Sequence, residues 1–293
     1  MKTKQSTAIF WAILSAALYA ISIPLSKILL TEIPPAMMAA LLYLGAGIGM
    51  SIIWVVRYKK NKLKSEMKLT KKELPYTVGM VLINIVAAIF LMIGIAMTTS
   101  SSASLLSNFE IVATSIIALL FFKEAISKRL WLAIGLITVA SIFLSIKDIG
   151  NISFSFGSIF VILGTICWGF ENNFTRKLSV KDPLEIVIIK GFGSGLGSLI
   201  IAFVIKETAT NMFYIMGTLL LGFVAYGLSI YLYVYAQRYL GAAKTSTYYA
   251  IAPFIGVVIS FFMLFEIPTI SFIIALLIMI VGTYFASTES KGS

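Results

Sequence analysis

The sequence contains no histidine. That removes the commonest general base and the commonest metal ligand. It has one cysteine, Cys167, inside an apolar stretch, so no intrachain disulfide can form and the redox compartment is unreadable. Charge is scarce: 12% of 293 residues are Asp, Glu, Lys or Arg, about half the share usual in soluble domains. No glycine-rich phosphate loop ending in GK[ST] occurs, so no nucleotide-driven step is expected within this chain. No basic patch interleaves with aromatics, so the net charge of +11 is not read as a nucleic-acid surface. No acidic pair with catalytic spacing sits at a span end, which argues against an enzyme such as a lipid transferase. No cofactor and no metal are expected.

Apolar length is what the chain has in quantity. Hydrophobic residues make up 59% of it, and mean hydropathy is +0.99. Continuously apolar runs recur that are long enough to cross hydrocarbon as helix, about 20 residues each. They do not alternate, so helices rather than a barrel are expected. Ten spans are predicted, at 8–30, 36–56, 75–97, 100–122, 130–147, 157–176, 184–206, 212–236, 243–265 and 270–288. The amino terminus imitates a signal peptide, with Lys2 and Lys4 before an apolar stretch. The run continues through "ISIPLSKILL", so it reads as span 1.

Charge predicts orientation. With the amino terminus inside, the inner segments hold nineteen of the 23 Lys and Arg residues. Eight of these lie in the loop at 57–73, a stretch expected to rest against anionic headgroups. The outer segments hold only Lys147 and Lys206, and Lys27 and Lys190 fall within spans. The positive-inside rule therefore puts both termini in the cytoplasm, in a multi-pass protein of the cell (inner) membrane.

The halves resemble each other. "YAISIPLSK" (19–27) aligns with "WGFENNFTR" (168–176), and Pro34 with Pro183. "FFKEAIS" (121–127) aligns with "MLFEIPT" (263–269), placing Glu124 on Glu266. Five spans per unit is an odd number, so residues 1–147 and 148–293 are expected as inverted repeats, which place a binding site where they meet. The fold class is an all-α polytopic membrane protein of two inverted five-helix repeats.

With this order, spacing and duplication, the chain resembles the drug/metabolite transporter superfamily, specifically its EamA-type ten-helix members. The best-matching parts are Glu124 and Glu266, the stretch 242–260 with Pro253, and "CWGFENNFTRK" (167–177). The resemblance implies a central cavity lined mainly by spans 1, 3, 4, 6, 8 and 9, with solute import or export as the activity. The chain departs from the usual pattern at Ile111, where the first half commonly has proline, and at Glu110 beside it.

Glu110 lies inside span 4 with no cation near it in sequence. A charge at the centre of a span costs roughly 2.5–3.5 kcal/mol on insertion scales, so it faces a cavity or a partner. Counted back from residue 122 at about 1.5 Å per residue, it lies roughly 18 Å from the inner surface, near the midplane. One reading is a neutral carboxyl bonded between helices. The other is a proton or cation site, because withdrawal from water favours the protonated carboxyl and lets proton and solute compete. The small multidrug resistance proteins resemble this scheme, with one membrane-embedded glutamate in a different helix.

Glu171 and Lys190 fall roughly 8–9 Å below the inner surface on consecutive antiparallel spans, a depth match that suggests a salt bridge, either structural or an inner gate. Lys190 snorkelling to the interface alone is the other reading. Asn108, Asn172 and Asn173 are amides that need partners in a membrane, from a neighbouring helix or a ligand. One of Asn172 and Asn173 is expected between helices. Pro24 and Pro253 free the carbonyls of Ala20 and Tyr249, as packing kinks or as hinges. Trp168, and one of Tyr248 and Tyr249, are expected to line the cavity. The glycines at 190–199 read as a close packing surface.

The expected function is a secondary transporter of a small organic solute, such as an amino acid or amine, coupled to protons through Glu110. An uncoupled facilitator is the alternative, and a membrane-embedded transferase a weaker one. Expected partners are the solute, the proton and the bilayer, with the chain a monomer or homodimer.

Overall fold

The computed structural model describes every residue except 1, 60–67, 124, 149–152, 179, 241–244, 246–247 and 289–293. Among the described residues the helices fall into ten spans, joined mostly by short connections. Span 1 is two helices, Lys2–Ala20 and Ser22–Leu29, broken at Ile21, three residues before Pro24. Spans 2 and 3 are Pro35–Lys59 and Leu74–Met97. Span 4 is Ser100–Leu106 and Phe109–Phe122, broken at Ser107 and Asn108. Span 5 is Lys128–Ser145, and a short antiparallel pair, Ile146–Asp148 with Ser153–Phe154, leads into span 6, Phe156–Leu178. Span 7 is Pro183–Val204. Span 8 runs through Met212–Leu221, a π-helical stretch Gly222–Leu228, and Ser229–Leu240. Span 9 ends as Ala252–Leu264, and span 10 is Ile270–Thr288.

Among the described residues eight helices are long and apolar enough to cross a membrane. Span 6 falls outside that set because its second half carries Glu171, Asn172, Asn173, Arg176 and Lys177. Span 9 falls outside because only its last 13 residues form the continuous helix Ala252–Leu264.

The packing is exchange-symmetric. Span 3 packs on span 6 as span 1 packs on span 8; span 4 packs on span 6 as span 9 on span 1; span 2 packs on span 8 as span 7 on span 3. Spans 2 and 7, 4 and 9, and 5 and 10 pair with their own counterparts. Swapping each span with the one five later leaves the pattern unchanged, as a pseudo-two-fold axis between inverted five-helix units requires. Backbone detail repeats as well. The helices before the two aligned glutamates both end in a left-handed residue, Lys123 (φ 56°) and Phe265 (φ 51°). Spans 4 and 9 also break at nearly the same register, at 107–108 and 250–251, one residue apart in the alignment of Glu124 with Glu266.

The break in span 4 needs no proline. Ser107 Oγ donates to the Ser104 carbonyl (2.6 Å), and Asn108 Nδ2 donates to that of Leu105 (3.3 Å). Glu110 N and Ile111 N then reach back only three residues, to Ser107 and Asn108. Side-chain oxygens and amides competing for main-chain partners are a known cause of helix bending. Ile111 therefore occupies its position without losing the interruption that Pro253 marks in span 9.

With lipid as solvent, helices associate through close backbone contact at small residues. Spans 2 and 8 meet at two reciprocal glycines. A Cβ on Gly45 would lie 2.0 Å from the Leu219 carbonyl oxygen, and one on Gly222 would lie 1.9 Å from that of Leu42. In the expected 190–199 packing surface, a Cβ on Gly191 would meet Gly47 N at 2.5 Å. Gly222→Val should therefore force spans 2 and 8 apart at a cost of about 1–3 kcal/mol or more. A lowered melting midpoint in detergent is the expected result, measured against an exposed-face control such as Leu220→Val.

Candidate substrate and ion site where the two halves meet

Span 6 delivers three polar residues in sequence, and helical rotation sends each to a different partner. Glu171 is 2% exposed and its Oε2 lies 3.0 Å from Lys190 Nζ of span 7. Its other oxygen accepts from the Thr175 hydroxyl one turn later. Asn172 Nδ2 donates to Glu110 Oε1 (2.5 Å) and contacts Thr114 Oγ1 (3.3 Å). Asn173 turns back to the carbonyls of Gly169 (2.8 Å) and Thr114 (3.2 Å), packing between spans 4 and 6. The depth match of Glu171 and Lys190 is thus an ion pair, and the buried amide of the two asparagines is Asn173.

Glu110 sits at the start of Phe109–Phe122, one residue beyond the span 4 break. It is half-buried. Among the described residues no cation lies at salt-bridge distance from it. The Glu171–Lys190 pair lies within its electrostatic range, as do the phenols of Tyr19, Tyr43 and Tyr249. These phenols belong to a continuous aromatic cluster at the axis. Tyr19 packs on Tyr249 (5.7 Å between centroids), Tyr226 (5.9 Å) and Trp168 (6.5 Å). Tyr43 packs on Tyr226 (5.2 Å), and Tyr233 on Tyr249 (4.9 Å). Tyr19 and Trp168 are the residues that head the aligned stretches of the two halves.

Below the cluster lies Asn84 of span 3, fully buried. Its Oδ1 accepts from Tyr43 OH (3.0 Å) and Trp168 Nε1 (3.2 Å), and its Nδ2 donates to Ser194 Oγ (2.9 Å). One amide ties spans 2, 3, 6 and 7 together. Spans 2 and 7 thus contribute to this polar and aromatic cluster, through Tyr43 and Ser194.

The end of the bundle away from the termini has a separate polar clasp. Lys27 Nζ donates to the carbonyls of Ile95 (2.8 Å), Ala96 (3.0 Å) and Thr98 (2.7 Å), closing the end of span 3. The Glu266 carboxylate accepts from Ser100 N (2.6 Å) and Ser101 N (2.8 Å), opening span 4. Span 1 and the end of span 9 thereby hold the two sides of one tight turn. Orphan helix-end groups in lipid need such partners. Glu124, the counterpart of Glu266, lies outside the described residues.

Of the other residues expected at the site, two lie elsewhere. Tyr248 packs with Trp11 against Ala8, Ala12 and Ala236, between spans 1 and 8, while Tyr249 faces the cluster. The Asn108 amide is buried and serves the span 4 break. Pro24 and Pro253 flank the interruptions of spans 1 and 9. Sequence reasoning missed Asn84, Tyr43, Tyr226 and the Lys27–Glu266 clasp. A lone amide in "VLINIVAAIF" was the signal for Asn84, since it must find partners inside the bundle.

Comparison with known proteins follows the same outline. A family model described as the EamA-like transporter family matches residues 6–146 and 155–288. A protein of Methanothermobacter thermautotrophicus, described as an uncharacterized transporter, is 24% identical over 290 residues, covering 93% of this chain and 84% of that relative. A solved crystal structure superposes with a TM-score of 0.69 at 12% identity, with 97% of each chain covered. That likeness shows the fold.

Removing one partner of a buried pair leaves an uncompensated charge, at a cost of about 3–5 kcal/mol, whereas removing both is far cheaper. Lys190→Met should destabilise the purified protein strongly, and adding Glu171→Gln should recover most of the loss. Melting midpoints of the two single variants and the double variant measure this.

Proposed function

Because this chain belongs to the EamA-like transporter family, we propose that this membrane transporter carries a small cationic or zwitterionic organic solute, exchanged for a proton at Glu110. The observation that carries this reading is the setting of Glu110. It is half-buried beside a helix break and held by the Asn172 amide, with no cation at salt-bridge distance among the described residues. Lys190 is already engaged by Glu171. A solute ammonium would meet a carboxylate with no cation at salt-bridge distance among the described residues, and ring faces of Tyr19, Tyr249 and Trp168 would add cation–π attraction.

Proton and solute ammonium then compete for one carboxylate, which is the requirement for exchange. Alternating access is the accompanying motion, between five-helix halves at 1–147 and 148–293. The Glu171–Lys190 pair and the Lys27–Glu266 clasp lie towards opposite ends of the bundle and would open in turn. The lysine and arginine distribution supports cytoplasmic termini in the cell membrane.

The sign of coupling follows from the scheme. In exchange, protons leave the acidic compartment as solute enters it, so vesicles with an acidic lumen should accumulate amines or amino acids. The expected result in proteoliposomes is uptake that rises several-fold with an imposed gradient and falls when an ionophore collapses it. Glu110→Gln should abolish that response. Wild-type uptake indifferent to the gradient would establish an uncoupled facilitator instead.

A further inference from the structure

We propose that the small cavity where the interrupted spans 1, 4 and 9 converge is a binding site for a monovalent cation of sodium's size. It has room for about one water-sized occupant and is walled by Tyr19, Ala20 and Ser22 of span 1, Ser104 and Ser107 of span 4, and Gly256 of span 9. The inference rests on the geometry of this cavity and not on Glu110 carrying a proton.

The donor set decides the sign of the ligand. The Ala20 carbonyl has lost its helical donor, because the residue four later is Pro24. Ser107 spends its proton on the Ser104 carbonyl, so only its lone pairs face the cavity. The hydroxyls of Ser22 and Ser104 are 1% and 0% exposed, and neither is hydrogen-bonded. The Tyr226 phenol comes near Ser22 without closing a bond to it. Buried polar groups left without protein partners call for an explanation such as a bound ion or water. The four residues that wall the cavity with these oxygens, Ala20, Ser22, Ser104 and Ser107, offer two that can only accept. An anion would face both of those acceptors. A cation is served by all four.

Charge and size narrow the choice. The helix Lys2–Ala20 ends at the cavity while Ser22–Leu29 and Ala252–Leu264 begin there, so helix dipoles of both signs meet it and the oxygen donors decide the ligand. No carboxylate lines it, so a divalent ion would keep most of its charge uncompensated. An organic ammonium brings carbons for which there is no space. Hard ions of this kind take oxygen ligands, and carbonyls freed at helix interruptions, with half-helix carboxyl ends, coordinate sodium in transporters built from repeats. Tyr19 belongs both to this wall and to the aromatic cluster. A cation held here would therefore fix three helix breaks beside the solute site.

The test uses the full-length protein purified in detergent, in sodium, potassium or choline chloride at equal ionic strength. Sodium should raise the melting midpoint by several degrees over choline, saturably, as a ligand of the folded state does. Equilibrium binding of radioactive sodium should show one site, with affinity lowered about tenfold in Ser104→Ala, an estimate for the loss of one ligand. Ser22→Ala gives an independent reading should Ser104→Ala fold poorly. Equal midpoints in all three salts would overturn the proposal, leaving a cavity that holds water. A sodium effect undiminished in both variants would also overturn it, by putting the ion elsewhere. Neither result touches the response to a pH gradient, which tests Glu110 separately.

Discussion

Hydrocarbon offers no hydrogen bonds, and the whole arrangement of this bundle follows from that. Each polar group carried into the membrane must be met by another from the protein, or by something the protein holds. The interior obeys this economically. Glu171 is met by Lys190 and Thr175, Asn173 by two carbonyls, and Asn84 by a phenol, an indole and a hydroxyl. Ser15 and Ser229 exchange hydrogen bonds with each other's carbonyls (2.8 and 2.9 Å), joining spans 1 and 8. Helix ends are met by Lys27 and Glu266. Among the described residues the buried hydroxyls of Ser22, Ser26, Ser104, Ser198 and Thr283 stay unmet, two of them, Ser22 and Ser104, in the wall of the small cavity, and Glu110 has a single amide.

The setting of Glu110 is a product of duplication followed by divergence. Two copies of one five-helix unit, packed head to tail, bring equivalent residues close together at the axis, and Tyr19 touches Trp168 there. Had the copies stayed identical, any charge at the axis would face its own kind. Divergence separates the roles. The second half supplies Asn172 to the carboxylate that only the first half bears, and it marks its helix break with Pro253 where the first half has Ile111. The break itself persists in both, because Ser107 and Asn108 do by hydrogen bonding what proline does by removing a donor.

The fold was legible because its cues run along the chain. Apolar length delimits the spans, and the order of breaks and charges along them points to the ten-helix fold. Glu171 and Lys190 were legible as well, since equal depth on adjacent antiparallel helices follows from counting residues. What could not be read is helix rotation. Tyr248 and Tyr249 are neighbours in sequence, yet one packs between spans 1 and 8 and the other faces the axis. The partnership of Asn84 with Tyr43 and Trp168 joins residues 41 and 84 positions apart. The Lys27 clasp depends on where the end of span 3 comes to rest, which no local pattern in span 1 encodes.

The π-helical stretch Gly222–Leu228 carries one further implication. A π turn accommodates an extra residue relative to the α form, and each residue of an α-helix advances the side chains by about 100°. Rewinding that stretch would swing Tyr226 off Tyr19 and Tyr43, and carry Ser229 away from Ser15. The winding of this one stretch therefore sets which side chains of span 8 meet span 1: a quarter-turn there would unlatch the aromatic cluster from it.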